Sequence, residues 1–297
     1  VPTQTYDVAI AYRICPSTSR TPLIFRDDKY RLAELCLKSF RESLGSLKVK
    51  LYALLDNCPE EYENLFRRYF DDDSLELIRL GGVGNPATLM KQIEILLGQN
   101  CSELVYFAED DYFYLPNQFR EMVEFARSRD DVHFVSPYDH LDYYTRRLHQ
   151  YPSRIVTFGS RHWRTTGVTN MTFLTKKQVL MEAHRVFKTY TRRNRGILIW
   201  LSLTKHKALN PIYAFPYLMH ERRTFKKLAR SWLSCWRHIL FGRRWNLWVP
   251  MPSIATHMEK TALAPCVDWI GTIRAEVGPL QELMQETNGA NGGRDAM

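Results

Sequence analysis

The six cysteines (Cys15, Cys36, Cys58, Cys101, Cys235 and Cys266) include no Cys-x-x-Cys pair and are too sparse in 297 residues to staple a fold. A disulfide scaffold is thereby excluded, and reduced core thiols are expected, which favours the cytoplasm. Two glycosylation sequons, Asn100-Cys-Ser and Asn170-Met-Thr, point weakly the other way, at a frequency that chance supplies. Long apolar runs are missing as well. Stretches such as Gly196–Leu203 (GILIWLSL) stop well short of the roughly 20 residues that cross a bilayer, so the chain is expected to be soluble or peripheral on a membrane. No charged leader with an apolar signal core follows Val1, so the sequence reads as a processed product or a piece of a longer one.

Acidic residues are scarce in the second half. Residues 142–297 carry 25 Lys and Arg against 9 Asp and Glu, a balance of +16, whereas residues 1–141 carry 16 against 23, a balance of −7. The overall +9 conceals two halves suited to different partners. A hydrophobic content of 45% excludes general disorder and supplies the core of one elaborated domain. Only the tail from about Thr287 (TNGANGGRDAM) is poor enough in apolar residues to be expected without fixed structure.

What is present in the first half is a regular alternation. Asp7–Ile14 reads as a buried strand, and Lys29–Leu44 as a helix with Leu32, Leu35, Cys36 and Phe40 at helical spacing. Strands at Lys48–Leu55, Leu75–Leu80, Glu103–Ala108 and Val132–Ser136 follow, separated by helices opening at Pro59, Pro86 and Pro116. Strands divided by helices imply an α/β fold with a mostly parallel sheet covered on both faces. Ligands then collect at the C-terminal ends of the strands, which nominates Arg13, Asp56 and Glu109–Asp111. Beyond about Asp139 the pattern is less clean, with strands expected at Arg154–Phe158 and Thr169–Thr175 and a helix at Lys177–Tyr190.

The strongest local signal is Val105-Tyr-Phe-Ala-Glu-Asp-Asp-Tyr112, an apolar strand that ends in three consecutive acids. Adjacent like charges are unfavourable unless something positive sits among them. A hard divalent cation, Mg²⁺ or Mn²⁺, meets that demand with oxygen ligands and can bridge a diphosphate.

This run resembles the DxD-type motif, in its EDD form, of nucleotide-sugar-dependent GT-A glycosyltransferases of the family 2-like kind. The resemblance implies a GT-A (Rossmann-like) sheet flanked by helices, with Glu109 and Asp110 on the donor and Asp111 on the metal. Arg13 and Asp56 fall where such enzymes hold nucleobase and ribose. Gly84-Asn85 with Lys91 resembles the turn and helix that approach the base or diphosphate, and Pro252–His257 resembles the stretch that returns a histidine, here His257, to the metal. Residues 1–140 would then form the nucleotide-sugar-binding half, residues 141–286 the acceptor-binding half, and residues 287–297 a tail. The function implied is metal-assisted transfer of a sugar, expected to be a hexose, from a nucleotide diphosphate to a hydroxyl of a glycan or lipid-linked acceptor, with inversion expected.

Such a reaction also needs a base for the acceptor hydroxyl in an inverting enzyme. The scarcity of acids narrows the search to Asp139, Asp142, Glu182, Glu221 and Asp268, with Asp139 favoured because it follows a strand, and Glu221 next. A retaining outcome stays open. Between Glu221 and Trp248 eight Lys or Arg residues interleave with Trp232, Trp236, Trp245 and Trp248. That composition suits an anionic membrane surface, a solvated basic face or a platform for an acceptor glycan. Nucleic acid is disfavoured, because no such motif accompanies the charge. A nucleotidyltransferase on a related scaffold is the alternative enzyme, although Arg13–Arg20 lacks the glycines of its usual loop; a non-catalytic glycan- or membrane-binding module is the other alternative.

Overall fold

The computed structural model describes residues 6–18, 21–192, 194, 196–208 and 222–278. Strands β1 (Val8–Ile14), β2 (Val49–Asp56), β3 (Leu75–Leu80) and β4 (Leu104–Glu109) alternate with helices α1 (Lys29–Leu44), α2 (Glu61–Tyr69) and α3 (Gly84–Gly98). A short β5 (Tyr112–Tyr114), α4 (Phe119–Ser128), β6 (Phe134–Val135) and α5 (Asp142–Thr145) follow. The second half contains β7 (Ile155–Phe158), β8 (Arg161–Thr166), β9 (Phe173–Lys176), α6 (Lys177–Phe187) and α7 (Ile197–Thr204). It continues with α8 (Arg222–Phe241), β10 (Leu247–Met251), β11 (Ala255–His257) and α9 (Trp269–Val277).

Among the described residues nine strands form one sheet in the order β3-β2-β1-β4-β9-β6-β10-β8-β7. The first four are mutually parallel, and only β9 and β8 run against the rest. This is the mostly parallel, helix-flanked α/β layout expected from the sequence. The chain fills β1, β2 and β3 outward in one direction and then places β4 on the other side of β1, so the strand order reverses between β1 and β4. A crevice opens outside the carboxyl ends at such a reversal.

Period-two alternation in β1 assigns its faces. Ile10, Tyr12 and Ile14 pack into the core shared with α1, α2, α4 and α9, whereas Ala9 and Ala11 face the core under α3, α6, α7 and α8. The alanines let α3 approach closely enough for Gln92 Nε2 to donate to Ala11 O at 2.6 Å. On the other face Phe40 sits among Tyr12, Tyr106, Tyr114 and Phe119 with ring centroids 5.0–5.8 Å away. Truncating such a ring costs about 3–5 kcal/mol, so this cluster fixes α1 under the cleft. All six cysteines are free thiols, but only Cys36 and Cys235 are buried in the core; Cys15, Cys58 and Cys101 are half-buried and Cys266 is exposed. No helix among the described residues is long and apolar enough to cross a membrane.

Two features depart from the sequence reading. The run Gly196–Leu203 supplies α7, buried along nearly its whole length and therefore without an amphipathic period. β5 and β11 pair antiparallel in a separate two-stranded sheet, each only three residues long, with His257 opposite Tyr112. The tail from Thr287 lies outside the described residues.

Candidate active site

A cleft of about 520 Å³ opens at the carboxyl ends of β1, β2 and β4. Arg13, Asp56, Asn85, Glu109, Asp110, Asp111 and His257 all line it, and so do Lys29, Thr88 and Glu259. The wall carrying His257 is stitched in place by backbone bonds. Met258 N donates to Asp111 O at 2.8 Å, and Leu23 N donates to Met258 O at 2.7 Å.

Each acid of the triplet has a basic partner from the protein itself. Glu109 pairs with Arg13, which stands opposite it in the neighbouring strand, and accepts a 2.8 Å bond from Thr172 Oγ1. Asp110 lies 2.8 Å from Lys29 Nζ and accepts from the Cys15 N–H at 3.3 Å. Asp111 lies 3.2 Å from His257 Nε2. The charge argument from the sequence is thereby corrected. Two of the three adjacent anions face fixed cations, Arg13 and Lys29, and the third faces His257, so a metal ion would have to answer to Asp111 alone and not to all three.

The electrostatics follow from these pairs. Burial would lower the Lys29 ammonium, but Asp110 and Asp111 outweigh it and hold its pKa above the usual lysine value. Burial raises the Asp110 carboxyl while Lys29 opposes it; the short contact and the raised Lys29 favour the charged pair. Burial also works to raise Asp111, yet His257, Lys29 and Arg13 hold it down at about 2. Conversely, burial would lower His257, and Asp111 carries it above the ordinary histidine value.

One oxygen remains unaccounted for. Asp111 Oδ1 is buried and has no hydrogen-bond partner, and His257 Nδ1 has none either, its nearest acid being Glu259 at 3.9 Å. An orphaned buried carboxylate oxygen costs several kcal/mol in principle, about 1–3 kcal/mol or more for a charged group. Among the described residues no three His, Cys, Asp or Glu side chains stand ready around a metal position. Mg²⁺-like ions are commonly held by one or two carboxylates, with substrate phosphates and water completing the shell. Asp111 and His257 fit that smaller demand.

The remaining expected residues divide. Asp56 accepts from the N–H groups of Val83 and Gly84, both at 2.8 Å, and so caps the start of α3. Gly84 has φ +77°, a backbone shape that favours glycine, which turns its N–H onto that carboxylate. Asn85 Oδ1 accepts from Arg13 Nη1 at 2.7 Å and from the Tyr190 hydroxyl at 3.1 Å, bridging the cleft floor to the second half. Lys91 is not brought to the cleft; it pairs with Glu94 on the outer side of α3 at 2.8 Å.

Asp139 is not in the cleft either. It is buried, lies 2.7 Å from Arg164 Nη2 and accepts from the Tyr144 hydroxyl, so both oxygens are engaged away from the triplet. This is a structural ion pair, and the base role expected for Asp139 is corrected accordingly. Glu221 lies outside the described residues. Lys29 and Glu259 were missed by the sequence reading. The signal for Glu259 was its spacing: two residues after His257 in an extended segment puts both side chains on one side.

Fold and cleft together define an α/β protein whose mostly parallel sheet ends in an acidic strand facing basic side chains. No protein-family model matches the sequence, and no curated protein matches it. Solved structures resemble the chain at low identity. Staphylococcus aureus TarS is 10% identical at a TM-score of 0.39, over 59% of this chain and 29% of TarS. A mannosyltransferase from Pyrobaculum calidifontis, in complex with GDP-Man and Mn²⁺, is 14% identical at a TM-score of 0.36, over 61% of this chain and 47% of its own. The chain thus spans under half the length of either protein. A CMP:2-keto-3-deoxy-manno-octonic acid synthetase complexed with CTP is 10% identical at a TM-score of 0.41, over 93% and 99% of the two chains.

Proposed function

We propose that the protein is a glycosyltransferase that moves a sugar from a nucleoside diphosphate to an acceptor hydroxyl on a glycan or lipid-linked saccharide, assisted by Mn²⁺ or Mg²⁺. The observation that carries this reading is the orphaned Asp111 Oδ1 beside His257 at the mouth of the β1–β4 crevice. Asp111 and His257 would hold the ion, which when bound would neutralise charge on the departing diphosphate. Arg13 and Lys29 add fixed positive charge to the same cleft, and Asp56 with Asn85 marks its nucleoside end. Preorganised charges of this kind act on developing charge without reorganisation.

For the acceptor proton we assign Glu259, the cleft-lining acid contributed by the second half. Glu109 and Asp110 pair with Arg13 and Lys29, Asp111 with His257, and Asp56 accepts from backbone N–H groups. Glu259 lines the cleft two residues after His257, 3.9 Å from its Nδ1, and accepts from Thr261 Oγ1 at 3.3 Å. General-base assistance of this kind contributes about 10²–10⁴-fold. A base there would give an inverting transfer.

The nucleotidyltransferase reading shares the cleft and differs in its product. Nucleotide-sugar and Mn²⁺, with and without acceptor saccharides, should yield a nucleoside diphosphate. Pyrophosphate released from a nucleoside triphosphate and a sugar acid would reverse the ranking. A cleft that binds no nucleotide in the presence or absence of Mn²⁺ would remove both enzymatic readings.

A further inference from the structure

Helix α8 carries its apolar residues on two faces. Leu228, Cys235 and Ile239 point inward and are buried against the core under α7. Leu233, Trp236, Leu240 and Phe241 point outward and are 83, 46, 48 and 80% exposed. A non-helical backbone at Cys235 (φ −132°) breaks the helix and separates the two tryptophans. Trp232 turns inward and donates to Ala208 O at 2.7 Å, so only Trp236 remains at the surface, with the Arg237 guanidinium 5.3 Å from its ring. The sequence from Arg222 to Arg244 contains eight Lys or Arg residues and no Asp or Glu. An outward apolar stripe in an acid-free basic segment is not what a solvated helix face requires.

A second cavity, of about 320 Å³, adjoins the end of this helix. Arg147, Lys205, Lys207 and Arg244 line it with Tyr151 and His206, and among the described residues no acidic side chain does. Lys205 Nζ donates to the carbonyl of Gly242, the residue after Phe241, at 2.7 Å, which ties the cavity to the exposed stripe. Arg244 Nε donates to Thr204 O at 3.1 Å. Lys205 and Lys207 both hold left-handed backbone, at φ 52° and 54°, an uncommon conformation for residues other than glycine. Arg244 precedes β10 and His257 follows it, so the cavity and the cleft lie toward opposite ends of that strand.

We infer that the outer face of α8 and the adjoining cationic cavity form a docking surface for a bilayer that carries anionic phospholipids. Leu233, Trp236, Leu240 and Phe241 enter the acyl boundary, and the cavity takes a headgroup phosphate. Charge and apolar surface must both be satisfied, and an anionic bilayer satisfies both. An acidic polysaccharide or a nucleic acid would leave the four apolar side chains in water. A second copy of the chain would set one acid-free basic face against another. The inference is independent of the chemistry in the cleft.

The test is vesicle co-sedimentation of the full chain with phosphatidylcholine alone and with phosphatidylcholine mixed with phosphatidylglycerol, at low and high salt. Binding is expected to the mixed vesicles only, and to weaken steeply with salt. Leu233→Ser with Phe241→Ser removes two largely exposed side chains, leaves the fold intact by thermal melting, and should weaken binding at least tenfold. Arg147→Gln should weaken it about fivefold, as expected for one cation at such a surface. The inference is overturned by absent vesicle binding, or by binding equal in wild type and the double variant. It is also overturned by stabilisation with inorganic phosphate that is unaccompanied by vesicle binding, or by a dimer in sedimentation velocity that the double variant dissolves.

Discussion

Arg13 and Glu109 stand directly opposite one another in neighbouring parallel strands, and their side chains pair across the point where the strand order reverses. The guanidinium also reaches Asn85 Oδ1 at 2.7 Å, so one cation joins β1, β4 and the first turn of α3. Burial alone would lower the Arg13 pKa, and Glu109 together with Tyr190 raises it instead.

Breaking this pair from one side should cost more than removing both charges. Arg13→Ala leaves Glu109 in a half-buried site without its cation, and such losses run to about 3–5 kcal/mol. Glu109→Gln in the same background should recover part of that loss. Urea melts of the two single variants and the double variant measure the coupling; strictly additive losses would show that the pair is not coupled.

The Asp111–His257 pair makes a separate prediction. Asp111→Asn keeps the size of the side chain and removes its charge, so the fold should survive. Stabilisation by UDP, GDP or CDP that depends on Mn²⁺ should vanish in this variant, and stabilisation by the nucleotide alone should persist. A thermal-shift series with and without Mn²⁺, then with a chelator, reads both. An undiminished metal-dependent shift in Asp111→Asn would place the ion elsewhere.

Much of the fold was legible because β1, β2 and β4 are short apolar runs divided by helices, and the rule for strand ends then brought Arg13, Asp56 and Glu109–Asp111 to one cleft. The helix Lys29–Leu44 is observed over the residues its spacing indicated. What failed depended on distant partners. That Glu109, Asp110 and Asp111 answer to three different basic side chains requires the register of β1 with β4 and the return of β11, neither of which leaves a local trace. Asp139 looked cleft-facing because it follows a strand, but β6 is only two residues long and Arg164, on β8, holds the carboxylate away from the cleft. Pairing of β5 with β11 was hidden by strands too short to show alternation.

Four histidines make stability pH-dependent. Burial lowers His133, His149, His206 and His238 from 6.5 to about 4, because the folded interior disfavours the imidazolium. Between those values the unfolded chain binds more protons than the folded one, so stability rises with pH. It should be fully present above about 6.5, fall as the pH drops toward 4, and lose nothing further from these groups below that. His257 acts in the opposite sense, since its raised value contributes stability that is lost as pH rises. Thermal melts at constant ionic strength from pH 4 to 7 measure the sum. A Tm that stays level across this window would contradict the buried neutral state of the four rings.

The assignment of the acceptor base separates two acids that the sequence alone could not. Glu259 lines the cleft, whereas Asp139 is locked to Arg164 and Tyr144 outside it. Glu259→Gln should therefore lower kcat by at least about 10²-fold while metal-dependent nucleotide binding is kept. Asp139→Asn should do the reverse, lowering Tm through the weakened buried pair and leaving kcat within a few-fold. Turnover of a nucleotide-sugar, measured beside a nucleotide thermal shift for both variants, decides between them. Loss of turnover in Asp139→Asn at a temperature where it remains folded would return the base to that residue, and full activity in Glu259→Gln would remove it from the rim of the cleft.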